Sequence, residues 1–166
     1  MADMERSLFV LVFAAAIGSG LVAGIFYAFS SFVMAALGRL PAEHGAAAMN
    51  SINVTVITPS FMILFIGTAL LIGTALLGLL LGGGSLFWWS HPGAKLVLAA
   101  SLLYVIGCFG VTMMFNVPLN NRLAAGDAVQ AAAFWPRYLE VWTIWNHVRT
   151  AAPILSAILF TAALLA

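Results

Sequence analysis

Nine residues, Trp142-Thr143-Ile144-Trp145-Asn146-His147-Val148-Arg149-Thr150, gather two indoles, an amide, an imidazole and a guanidinium in an otherwise apolar sequence. An imidazole exchanges a proton near neutral pH. Guanidinium and amide donors can hold a developing oxyanion, and indole faces can hold a flat apolar ring. On a helix, Trp142, Trp145, Asn146, Arg149 and Pro153 recur at spacings of three and four and share one face. His147 points about 100° away, toward the side of Glu140, Thr143 and Thr150. Asn116 and Asn120, four apart around Pro118, direct two further amides to a common side if the backbone there stays near-helical. Each has a structural alternative. Trp142 and Trp145 suit an interfacial aromatic belt, and Arg149 has a stem long enough to snorkel to headgroups. Asn116 and Asn120 can satisfy backbone groups freed by the proline.

The elements that position these residues follow from composition. Hydrophobic residues make up 64% of the 166-residue chain and charged residues 7%, with a mean hydropathy of +1.12. A soluble domain carries roughly a quarter charged residues, so most of this surface faces lipid. The reading is an integral membrane protein of one domain, residues 1–166, multi-pass in the cell membrane. A net charge of +1 without a basic patch excludes nucleic acid as an electrostatic partner. The lone Cys108 excludes an internal disulfide and a Cys-x-x-Cys pair; inside an apolar run it acts as a small hydrophobe.

Four spans are expected: about 8–37, 55–81, 95–115 and 141–166. The first run is too long for a cleavable signal peptide and reads as a retained span. Its Gly20, Gly24 and Ala28 form a small-residue row suited to close helix packing. That row is expected to pack within the subunit, with a homo-oligomer seam as the alternative. Pro41 is placed to open a short helix in which Ala46, Met49, Asn50 and Asn53 share a face. Pro59 starts the second span, and Gly82-Gly83-Gly84-Ser85 ends it before a surface turn holding Trp88, Trp89 and a solvated His91. The third span should end or kink near Val117, ahead of Pro118. Segment 123–139 reads as amphipathic and interfacial. Residues 151–166 alone fall short of the ~20 that a spanning helix needs, so the last span must draw part of the polar stretch into the membrane.

The fold class is therefore all-α, a four-helix transmembrane bundle with short amphipathic segments between spans 1–2 and 3–4. Four spans put segments 38–58 and 116–141 at one end with the start of the fourth helix. Asn116 and Asn120 then lie across from the opening stretch, and Tyr27 and Asn53 beside it. Arg39, Arg122 and Arg137 against Arg6 and Lys95 place that end weakly in the cytoplasm. Polar groups at membrane depth read as functional by default. His44, His91 and His147 offer no Glu-x-x-His or His-x-x-x-His spacing, so no metal site is expected; a single axial His147 ligand to haem is what remains of that reading. No inverted repeat and no acidic residue within a span supports a coupled transporter.

Four stretches carry a resemblance: Ala23-Gly24-Ile25-Phe26-Tyr27-Ala28-Phe29-Ser30, Met49-Asn50-Ser51-Ile52-Asn53, Phe115-Asn116-Val117-Pro118-Leu119-Asn120, and Trp142-Thr143-Ile144-Trp145-Asn146-His147-Val148-Arg149. In this order they resemble the anthrone-oxygenase-like family of small four-span membrane proteins. The resemblance implies oxidation of a planar phenolic or anthrone-like molecule by O2 without a cofactor. His147 and Arg149 would be the catalytic pair, as base and oxyanion stabiliser. Asn116, Asn120, Trp142, Trp145, Asn146, Tyr27 and Asn53 would bind a hydrophobic aromatic small molecule taken from the bilayer. The alternative is a non-catalytic membrane protein that binds a quinone- or lipid-like ligand, or a small carrier.

Overall fold

A computed structural model describes residues 2–81 and 92–166; the expected Gly/Trp/His turn lies outside them. Among the described residues the chain is all helical, in five helices without a strand. Helix α1 covers residues 2–37: Ala2–Ala28 passes through a π-helical turn, Phe29–Val33, into Met34–Leu37. Helix α2 is Ala42–Thr55, preceded by an extended Pro41 (φ −49°, ψ 142°). Asn50 and Asn53 are half-buried beside the buried Ala46 and Met49, the face the spacing predicts.

Helix α3 is Pro59–Leu81, α4 is Ala94–Ala124 and α5 is Ala128–Leu164. The Asp127 side chain caps α5 by accepting from the Gln130 backbone N–H at 2.8 Å, satisfying one of the free donors of its first turn.

Among the described residues three helices are long and apolar enough to cross a membrane: Phe9–Leu37, Ala94–Ala124 and Ala128–Leu164. The pair Ala42–Thr55 and Pro59–Thr74, bent by 72°, brings the number to as many as four. This is a helical membrane bundle. At ~1.5 Å per residue the 37 residues of α5 reach about 55 Å, well beyond a hydrocarbon core of ~30 Å, so part of α5 projects past it.

Two expectations about boundaries change. Helix α4 does not stop at Val117 but continues through Pro118 to Ala124. Proline removes one i→i−4 bond and crowds the preceding turn; here the π-helical turn Thr112–Asn116 ends two residues before it, and prolines and π-turns are both places where a helix bends without ending. The amphipathic segment expected at 123–139 is not separate from the last span. From Ala128 onward it forms the first half of α5, with Pro136 exposed on the helix surface.

The core has two parts. Val22, Phe26, Phe65, Ile72, Ala100, Tyr104, Cys108 and Phe160 fill the bundle. Met34, Met49, Leu123, Trp135, Tyr138 and Trp142 fill the polar end, where α2 packs on the first half of α5. Helix α5 packs most extensively on α1. The small-residue row does not serve that packing. Gly20 and Gly24 are exposed, and a Cβ added at either would meet nothing within 4 Å. The close approaches are elsewhere: a Cβ at Gly18 would run into the Thr68 side chain, one at Gly107 would lie 2.6 Å from the Ala152 Cβ, and one at Gly45 would lie 2.7 Å from the Trp135 ring.

Candidate functional site

Helix geometry sets the site along the middle of α5, where α1 and the end of α4 close on it. Asn146 is fully buried and all its side-chain groups are engaged. Its Nδ2 donates to the Phe26 carbonyl at 2.9 Å and to Ser30 Oγ at 2.7 Å. Its Oδ1 accepts from Arg149 Nε at 2.9 Å.

Arg149 is 6% exposed. Its guanidinium lies between two rings, 4.2 Å from the Phe26 centroid and 4.5 Å from that of Trp142. Stacked guanidinium contacts of this kind partly replace lost hydration. Among the described residues no carboxylate pairs with it; the ion pairs present, Glu43–His44 and Arg137–Glu140, are on the surface. A buried cation is usually paired, so this one is unusual. It does not snorkel.

His147 lies on the other side of the helix, as two residues at ~100° each require. It is exposed, and its Nδ1 is 3.0 Å from Ser30 Oγ. Ser30 is also 2.9 Å from Thr150 Oγ1, and Thr150 donates to the Asn146 carbonyl at 2.7 Å. Tyr27, Ser30, Ser31, His147, Thr150, Ala151 and Ile154 line an open groove of about 350 Å³ between α1 and α5. Ser30 lies seven positions before the end of α1 at Leu37, about 10 Å along the helix.

The end of α4 completes the interior side. Asn116, fully buried, donates through Nδ2 to the Trp142 carbonyl at 3.2 Å, while its Oδ1 has no partner. Asn120 Oδ1 accepts from both Tyr138 Oη and Trp142 Nε1, each at 2.8 Å. Asn53 Nδ2 and Asn50 Oδ1 are buried without partners, and Asn50 Nδ2 reaches the Leu123 carbonyl at 3.4 Å.

The model of the anthrone oxygenase family matches residues 61–159. The chain belongs to this family. No curated protein and no solved structure matches it. The match covers Asn116, Asn120, Trp142, Trp145, Asn146, His147 and Arg149; Tyr27, Ser30 and Asn53 lie before it.

Within this anthrone oxygenase family member the expected residues fall into groups. Asn116, Trp142, Asn146 and Arg149, all buried, form one network with the half-buried Asn120. Tyr27 and His147 share the groove. Asn53 lies on α2 at the polar end, its Nδ2 buried without a partner. His147 and Arg149 do not share a cavity; Ser30 and Asn146 join them. The indoles are already covered: Trp142 by Arg149, Phe29 and Tyr138, and Trp145 by Phe115 at 3.7 Å with planes 9° apart.

Ser30, Thr150 and Phe26 were absent from the expected site. A serine within an apolar span was the available signal for Ser30, since hydroxyls there bond across helices. The π-helical turn that holds it leaves no mark in the sequence. Phe26 reads as an ordinary core ring until the guanidinium is placed against it.

Proposed function

We propose that the protein oxidises a planar, weakly acidic anthrone-like molecule with O2 at the groove between α1 and α5. The observation that carries this reading is His147 on the groove wall, held through Nδ1 by Ser30 at 3.0 Å and leaving its other nitrogen for a substrate. Membership of the anthrone oxygenase family supplies the reaction class. An apolar tricyclic ring partitions into lipid and reaches a lateral groove without crossing water.

His147 removes a proton from the ring methylene as general base. The electron pair moves into the ring system, and the charge settles on the ring oxygen. The Tyr27 hydroxyl at the rim, 59% exposed at the residue level, donates to that oxygen. The buried positive charge of Arg149, connected through Asn146 and Ser30, favours the anion. Electrons pass to O2 as a carbon–oxygen bond forms at the former methylene. Loss of the second methylene proton with cleavage of the O–O bond leaves a carbonyl and one water. One O2 is consumed per anthrone, and no external reductant is needed.

The test is oxygen uptake by the purified protein with a hydroxylated anthrone, with the quinone followed by absorbance under ¹⁸O₂. One labelled atom should enter each quinone. His147→Gln should lower turnover by about 10²–10⁴-fold, the usual contribution of a general base. Binding of the anthrone without oxygen uptake would replace this reading with that of a ligand-binding protein. Wild-type turnover by His147→Gln would remove the base.

A further inference from the structure

We infer that Ser30 and Thr150 are positioning residues that hold neutral His147 with its proton on Nδ1, so that a bare Nε2 is presented to the groove. One chain of contacts fixes where each hydrogen lies. The Phe26 carbonyl can only accept and Arg149 Nε can only donate, so the Asn146 amide has one orientation, with Nδ2 toward Phe26 and Ser30. The backbone carbonyl of Asn146 can also only accept. Thr150, 2.7 Å from it, therefore commits its one hydroxyl proton there, the familiar back-bond to the preceding turn.

Ser30 Oγ stands 2.9 Å from Thr150 Oγ1. With the Thr150 proton committed, the proton between these two oxygens is that of Ser30. A serine hydroxyl has one donor and two acceptor sites. Ser30 donates to Thr150 and accepts from Asn146, so the contact with His147 at 3.0 Å must fill its second acceptor site. Nδ1 then carries the hydrogen. The reverse order, Thr150 to Ser30 to Nδ1, leaves two bare oxygens facing each other at 2.7 Å, and nothing offsets that repulsion.

The arrangement suits a base. Nε2 is the nitrogen free to take a substrate proton, and on taking it His147 keeps its bond to Ser30 unchanged, so no hydroxyl has to turn during the transfer. The catalytic meaning of the tautomer rests on His147 acting as the base; the tautomer itself does not.

The experiment is ¹⁵N NMR of the full-length protein in lipid nanodiscs with labelled histidine, at a pH where the imidazole is neutral. His147→Gln assigns the His147 signal among the three histidines. In the wild type Nδ1 should appear as the protonated nitrogen and Nε2 as the bare one. Thr150→Val keeps the shape of the side chain but removes the acceptor of the Ser30 proton, which then turns to Nδ1. The His147 proton should move to Nε2, and turnover should fall in kcat with KM little changed. Ser30→Ala should lose the preference for Nδ1, and Ser30→Thr should restore it. A wild-type proton on Nε2 would overturn the inference, as would a Thr150→Val spectrum unchanged from wild type. The expected tautomers without oxygen uptake would support it while sinking the oxygenase reading.

Discussion

Replacing Arg149 by methionine separates what this residue does for the fold from what it does for chemistry. The two ring contacts, at 4.2 and 4.5 Å, are worth about 2 kcal/mol each where water is excluded. The hydrogen bond to Asn146, with a charged donor, adds about 1.5–3 kcal/mol. Against these stands the cost of burying the ion, several kcal/mol. The terms nearly cancel, so Arg149→Met, of similar length and apolar, should change stability by no more than about 2 kcal/mol in either direction. Arg149→Ala also leaves a cavity and should be less stable than Arg149→Met. Activity should respond differently. Arg149 Nε reaches Ser30 through one amide; for an anion at roughly 8 Å, unit charges interact by about 2 kcal/mol at an effective dielectric of ~20. Loss of the charge should lower kcat/KM by up to about thirtyfold, and Arg149→Lys should recover part of it. Thermal unfolding in detergent with oxygen uptake on the same preparations measures both. Failure of Arg149→Met to fold would make the guanidinium a structural keystone. Wild-type turnover by a folded Arg149→Met would refute the electrostatic argument.

Two further outcomes follow from the packing. Asn120→Leu removes the acceptor shared by Tyr138 and Trp142; at about 1–3 kcal/mol for each stranded donor, unfolding should show a loss of roughly 2–6 kcal/mol. Gly107→Ala forces a methyl against Ala152 and should cost about 1–3 kcal/mol, whereas Gly24→Ala, facing open space, should stay within about 0.5 kcal/mol. Equal losses at the two glycines in thermal unfolding would contradict the packing of α4 on α5.

The helical membrane fold was legible because composition and long apolar runs leave few alternatives. Helix boundaries were less so. Pro118 reads as a stop or a kink by local sterics; Thr112–Asn116 widens into a π-helical turn before it and α4 does not stop but runs on. The polar composition of 123–139 suggested an interfacial segment, but a helix longer than the membrane is thick can carry polar residues at its projecting end and remain one helix. The Gly20/Gly24 row misled for a related reason: small residues permit close packing without requiring it, and here the close approaches fell to Gly18, Gly45 and Gly107.

Spacing along α5 was enough to separate the Asn146/Arg149 face from His147, because both lie on one regular helix. What joins the faces comes from α1, and no pattern within α5 could supply it. The choice of partner for Arg149 then gives the network its meaning. A buried carboxylate would have offset the cost of the charge and cancelled its field at the same time. The faces of Phe26 and Trp142 offset part of the cost and leave the charge standing. Asn146 has every side-chain hydrogen-bonding group engaged and so cannot turn away. The positive charge therefore stays fixed behind Ser30, one amide away from the hydroxyl that holds His147.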